Sequence, residues 1–290
     1  MHDTDSILLH NSQLNVAISP VGAELQSMKS VASAEEFLWH GDPAWWAGQA
    51  PILFPIVGSL KNNTMSVDAR DYEMARHGLV RGKLFNLLNH SSDSCLFSTS
   101  ADASTLLNYP WQFELRVNFS LHNNRIDIGY EVINNDSTTM IFTLGSHPAF
   151  SLPGTIAEYA IRFNQPETLQ RFHLDDSGLL AIHGTDYMKN TTRVELHKNL
   201  FDEDALVFKN IKSGTVDLLH GENVRVSVDT GGAPHLGLWA KPGAPFVCIE
   251  PWFGYSDNVD SDGNFKNKPA MIHLPAGDSF SNTWSITISP

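Results

Sequence analysis

FELRVNFSLHNNRIDIGYEV, residues 113–132, alternates apolar and polar side chains on either side of one break at Asn123-Asn124. Phe113, Leu115, Val117, Phe119 and Leu121 face one way, and Glu114, Arg116, Asn118, Ser120 and His122 face the other. Ile126, Ile128, Tyr130 and Val132 then resume the same period of two. That period belongs to a strand with one face buried and one in water. Asparagine tolerates the positive φ of a tight turn, so the stretch predicts an antiparallel hairpin.

The pattern recurs at Leu14/Val16/Ile18, Val224/Val226/Val228 and Phe280/Trp284/Ile286/Ile288. Turn signals punctuate the intervals, among them Asn62-Asn63, Asn134-Asn135-Asp136, Pro153-Gly154, Gly231-Gly232 and Asp262-Gly263. Helix-period stretches are scarce. The sequence thus reads as all-β, a sandwich or barrel of many antiparallel strands. No linker, charge block or repeat divides it, so one domain over 1–290 is expected. The segment from Ala32 to Trp46 is expected to carry a helical turn or two before a tight loop.

At 290 residues, 42% hydrophobic and 18% charged, the chain can bury a sizeable core without disulfides or metal. A formal charge of −13 repels nucleic acid and anionic lipid, so neither is an expected partner. No apolar run approaches the about 18 residues of a membrane span. Met1-His2-Asp3-Thr4-Asp5 lacks the basic start of a signal peptide, which makes a cytoplasmic location the expectation. Cys95 and Cys248 are too few for a structural zinc site and are expected to be reduced.

Dinucleotide, P-loop, zincin and hydrolase-elbow motifs are missing. Three segments instead set a titratable residue among Gly, Pro and aromatics: RHGLVR (76–81), GSHPAF (145–150) and CIEPWFG (248–254). Glu250 follows the apolar run Phe246–Ile249 and precedes Pro251, which cannot donate to a sheet ladder. Partial burial at such a strand end raises a carboxylate pKa toward the range of a general base; the competing reading is a loop cap or an arginine partner. His147, held between Gly145-Ser146 and Pro148, has a fixed direction and can give and recover a proton near neutrality; the competing reading is a structural histidine. His77 stands near two cations, Arg76 and Arg81, which disfavour an imidazolium and suit it to neutral hydrogen bonding. Tryptophans near turns, Trp45, Trp46, Trp239 and Trp252, offer faces for apolar sugar CH groups, and Asp204 offers a carboxylate to hydroxyls.

Together Phe54-Pro-Ile-Val-Gly58, RHGLVR, GSHPAF, DALVFKN (204–210) and CIEPWFGYSD (248–257) resemble the aldose 1-epimerase, galactose mutarotase-like family, in particular its LacX-like branch. The resemblance runs from about Ile18 to Ile286 and implies a large twisted antiparallel β-sandwich, the mutarotase supersandwich. It implies an isomerase acting on a free monosaccharide, with no cofactor and no metal, as a monomer or homodimer. It further implies Glu250 as base on the anomeric hydroxyl, His147 as acid at the ring oxygen, His77 as a second site histidine and Asp204 as an acid that holds sugar hydroxyls; Arg81 and Trp252 are expected beside them as substrate contacts on their own chemistry. Relatives often carry an arginine after the Gly of the F-P-x-x-G segment, where this chain has Ser59, so either the specificity differs or Lys61 substitutes, as a point charge without a bidentate fork. Two other readings keep the fold: a mutarotase of a hexose 6-phosphate, with Arg76, Arg81 and Lys61 as phosphate contacts, and a non-catalytic carbohydrate-binding sandwich.

Overall fold

The hairpin at 113–132 forms as read. Strands Phe113–His122 and Arg125–Asn134 pair in register from His122↔Arg125 to Phe113↔Asn134, with Asn123 at φ 57° in the turn. Leu115, Val117, Ile126 and Ile128 lie buried on the inner face while Glu114, Arg116 and Glu131 form ion pairs on the outer one. The other alternating segments also become strands: Leu14–Ser19, Asn223–Asp229 and Ser279–Ile288. The computed structural model describes residues 5–289; residues 1–4, which carry most of the N-terminal reading, and Pro290 lie outside that description.

The hairpin belongs to a sheet of fifteen strands whose named pairings are all antiparallel. From the hairpin the sheet continues through Ser279–Ile288, Asn223–Asp229, Thr215–His220, Tyr159–Phe172 and Leu206–Lys209 to His235–Trp239 and Phe246–Trp252. Gly145–Ser146 and Ile52–Leu53 complete that end. Ile7–His10, Leu14–Ser19 and Glu24–Ser30 form a separate three-stranded sheet. One contiguous apolar cluster links residues from Leu9 to Ile288, the outcome expected when strands with buried alternate faces stack. Cys95 and Cys248 are both free and buried. Among the described residues no helix is long and apolar enough to cross a membrane.

The stretch 32–46 departs from expectation. Isolated turns close at its two ends, the Ala34 amide donating to the Ser30 carbonyl and the Trp45 and Trp46 amides to the Asp42 carbonyl, and no helix forms between them. Upstream, the Glu36 carboxylate takes the Met28 and Leu38 amides and the Ser27 hydroxyl, and Phe37, Leu38 and Trp39 are buried in the core. A side chain that captures amides from a neighbouring strand offers the backbone an alternative to helical bonding.

Candidate active site

Three chain segments meet at the Phe246–Trp252 end of the large sheet. Gly145 pairs with both Leu53 and Trp252, so the GSHP segment is wedged between two strands and His147 leaves the sheet at a fixed point. The His147 amide donates to the Pro51 carbonyl at 3.1 Å. The FPIVG and RHG segments clasp each other: the His77 amide donates to the Gly58 carbonyl at 2.8 Å, and the Gly58 amide donates to His77 Nδ1 at 3.1 Å. At Gly78, φ is 81° and an added Cβ would lie 2.1 Å from the Phe54 carbonyl oxygen, so only glycine lets the two segments close. Glu250 sits two residues inside the end of Phe246–Trp252, because the strand continues through Pro251 to Trp252. It lies opposite Gly237, where an added Cβ would come within 2.5 Å of the Trp252 ring.

The result is a cavity of about 490 Å³ in whose wall Glu250, His147, His77, Asp204, Arg81 and Trp252 all stand. Glu250 and His147 are side by side: His147 Nε2 lies 3.3 Å from Glu250 Oε2, with the carboxylate 1% exposed. The contact falls outside hydrogen-bond geometry, which leaves Glu250 Oε2 buried without a partner among the described residues, and His147 Nδ1, on the other side of the ring, is unpartnered there too. Trp252 Nε1 is likewise unpartnered. Buried polar atoms are nearly always paired, so several orphans lining one concavity mark a place built for a polar ligand.

Burial pushes the Glu250 carboxyl well above its ordinary range; Arg76 works against the shift and Asp204 adds to it. Burial also lowers His147 to about 3, and the charges of Arg76 and Arg81 oppose its protonation further. His77 is held well below its usual value by burial, then by His147, Arg76 and Arg81. It is therefore neutral, and its two ring nitrogens face two donors, the Gly58 amide at Nδ1 and the Arg76 Nε–H at Nε2. Burial is the larger cause of that neutrality, and the two cations read from the sequence add to it.

Trp46 stacks on His147 with ring centroids 4.8 Å apart at 28°, and Trp239 meets the same imidazole edge-on at 5.7 Å. Trp45 does not line the cavity. Asp204 adopts φ 66° on a loop clamped by Arg171, which donates to the Glu203 carbonyl at 2.9 Å.

Lys61 must be corrected. Its Nζ donates to the Ser261 carbonyl at 3.0 Å and its side chain lines a different surface depression, so it cannot replace an arginine at Ser59. Its backbone amide is pinned by Asp257, which turns the side chain outward. Ser59 is itself buried, with its amide donating to Ser256 Oγ. The cation that does reach the cavity from this side is Arg76, whose Nε is 3.3 Å from His77 Nε2. Arg76 was legible in the sequence as an electrostatic neighbour of His77. Tyr255 and Phe201, also in the wall, carried no signal beyond their aromatic character.

Comparison with known proteins gives this geometry a context. The aldose 1-epimerase family profile matches residues 5–287. The chromosomal LacX protein of Lactococcus lactis subsp. lactis is 33% identical over 299 aligned positions, covering 98% of this chain and 99% of that one. A galactose mutarotase related enzyme from Lactobacillus acidophilus superposes with a TM-score of 0.93 at 34% identity, covering 98% of this chain and 97% of the other. A galactose mutarotase-like protein from Lactobacillus casei ATCC 334 gives the same TM-score at 27% identity, covering 98% and 100%.

Proposed function

The chain belongs to the aldose 1-epimerase family, and from that premise we propose that it interconverts the α and β anomers of a free aldohexose, with Glu250 as base and His147 as acid. The observation that carries the reading is the 3.3 Å approach of an unpartnered carboxylate oxygen to an imidazole in one wall of the cavity. The anomeric hydroxyl and the ring oxygen share one carbon, so two groups side by side reach both; they need not stand on opposite sides of the ring.

Glu250 removes the proton of the C1 hydroxyl while His147 delivers one to the ring oxygen, and the bond from C1 to that oxygen breaks. The open-chain aldehyde rotates about C1–C2 and recloses, and the two protons return. The pair ends with the protons it began with. Burial disfavours a lone charge on either group, which leaves one mobile proton resting on Glu250 in the free protein. Hydroxyls of a bound sugar and the nearby Arg76 favour the carboxylate, and the proton shifts to His147. A carboxylate beside an imidazolium carries no net charge, so the low dielectric that penalises each ion alone strengthens their attraction. Trp46, Trp239 and Trp252 supply apolar faces to the sugar, and Asp204 and His77 supply hydrogen-bonding groups to its hydroxyls.

Polarimetry on freshly dissolved α-glucose and α-galactose tests the proposal. Added protein is expected to hasten the drift to equilibrium rotation; rates equal to buffer alone for both sugars and for their 6-phosphates would overturn it. One observation favours a phosphorylated substrate as the second reading. Arg76 and Arg81 both line the cavity, and among the described residues neither is ion-paired with a carboxylate. If that reading holds, kcat/KM for the 6-phosphate exceeds that for the free sugar, and Arg81→Gln closes the gap.

A further inference from the structure

Cys248 is a buried nucleophile that the proposed reaction does not use. It precedes Glu250 by two positions on the strand Phe246–Trp252, so its thiol projects from the same face as the carboxylate. One ligand atom from each of His147, Cys248 and Glu250 lies within 4.8 Å of the other two, and all three residues are buried. Glu250, 1% exposed, brings an oxygen without a hydrogen-bond partner to this cluster, and His147 Nε2 stands 3.3 Å from that oxygen.

We propose that His147, Cys248 and Glu250 form a zinc-binding site at which the ion reversibly blocks the enzyme, held by imidazole nitrogen, thiolate and carboxylate with its fourth position open to the cavity. The ligand set matches the preference of zinc for nitrogen, sulfur and oxygen donors in a tetrahedron. At zinc bond lengths of about 2.0–2.3 Å, such donors stand roughly 3.3–3.7 Å apart. The 3.3 Å from His147 Nε2 to Glu250 Oε2 already lies in that range. Relative to the 4.8 Å limit of the cluster, closing the thiol onto the ion takes a shift of about 1 Å. Binding releases the thiol proton, and the Glu250 proton where it is present, to solvent, so affinity rises with pH. Zinc is here an inhibitor competing with the sugar and not a cofactor: it occupies the groups that must exchange protons. The blockade rests on the roles proposed for Glu250 and His147, whereas binding does not.

Cobalt reports on the site without any sugar. Titrating the full-length protein with Co²⁺ is expected to give a thiolate-to-cobalt charge-transfer band that saturates at one equivalent and disappears on adding Zn²⁺. Cys248→Ala is expected to lack the band and keep its mutarotation rate. It should also need at least about 100-fold more zinc for half-inhibition, since even changes to groups bonded to a ligand cost about 10–100-fold in affinity. EDTA should restore the wild-type rate. Should the alanine variant fail to fold, Cys248→Ser serves the same comparison. The proposal is overturned if no thiolate band forms, or if zinc inhibits the Cys248 variant at the concentrations that inhibit wild type. A band in a protein that accelerates no anomer exchange would instead sink the proposed reaction and leave the metal site standing.

Discussion

Two pairs of buried ionisable side chains lie close together in this chain and are built in opposite ways. Asp257 and Lys268 meet at 2.8 Å with side chains 4% and 2% exposed. Both are bonded further: Asp257 Oδ2 accepts from the Lys61 amide and the Ser261 hydroxyl, and Lys268 also donates to the Tyr255 carbonyl at 2.8 Å. Glu250 and His147 are comparably buried, yet each keeps a polar atom without a partner. A satisfied pair fixes backbone. Here it ties the 255–268 segment to the loop at Lys61, and the Asp257 amide in turn holds the Ser59 carbonyl. An unsatisfied pair stores a deficit that a ligand can fill.

The widest separation between the two pairs is expected from Glu250→Gln. The amide keeps the shape and cannot take the proton, so polarimetry should show a loss on the order of 10²–10⁴-fold, the contribution of one positioned proton-transfer group. Denaturant unfolding should show a variant at least as stable as wild type near neutral pH, because the substitution removes a buried acid. A near-normal rate would take Glu250 out of the base role. An unfolded variant would place it with Asp257 as a structural carboxylate.

The complementary change is Lys268→Met. It leaves the Asp257 carboxylate buried without its cation, a loss of about 3–5 kcal/mol in unfolding free energy. Replacing Asp257 by Asn in the same protein should recover part of that loss, since no uncompensated charge then remains. A Lys268→Met protein as stable as wild type would mean that burial and bonding do not separate the two pairs as argued.

This contrast bears on how much the sequence discloses. The hairpin at 113–132 is legible because its information is local: a period of two and a tolerant turn. Glu250, His147 and His77 are legible individually, because each interrupts a strand pattern beside Gly or Pro. Their convergence is not, since it depends on Gly145 pairing with Leu53 and Trp252 across a large sequence separation. The same reason hides the stacking of Trp46 on His147 and the buttress at Asp257–Lys268. Lys61 misleads because nearness to Ser59 along the chain says nothing of direction, and the Asp257 carboxylate sets that direction from far away. The stretch 32–46 misleads because a tertiary partner, the strand Glu24–Ser30, takes the side chain of Glu36.

Acid titration gives a smaller, graded test. His147, lowered to about 3, binds fewer protons in the native state than in the unfolded chain, so its contribution makes stability fall as pH drops below the unfolded value of about 6.5. The slope is at most about 1.4 kcal/mol per pH unit for one histidine, and His147→Asn should remove it. Glu250, raised by burial, acts in the other sense: its contribution is lost as pH rises through its native value, and Glu250→Gln should flatten that side. Unfolding curves for the three proteins from pH 4 to 8 check both signs. A wild-type slope unchanged in His147→Asn would show that His147 is protonated in the native state and that its burial has been overstated.

The smallest expected effect tests the boundary of the site. Lys61 lies near Ser59 in sequence, and if nearness decided function, Lys61→Ala would impair sugar binding as much as losing a cavity residue. Its ammonium instead donates to the Ser261 carbonyl, away from the cavity wall, and the Asp257 carboxylate binds its backbone amide, which alanine retains. Stability should therefore change by no more than about 0.5 kcal/mol, and kcat/KM by about twofold or less, as for a surface substitution. Arg76→Met, by contrast, removes a cation from the cavity wall and should lower kcat/KM well beyond that, with the alkaline limb of its pH profile moved upward because Arg76 no longer opposes the raised pKa of Glu250. A Lys61 variant as impaired as the Arg76 variant would return the phosphate or hydroxyl contact to Lys61 and require the loop at Ser59 to rearrange when sugar binds.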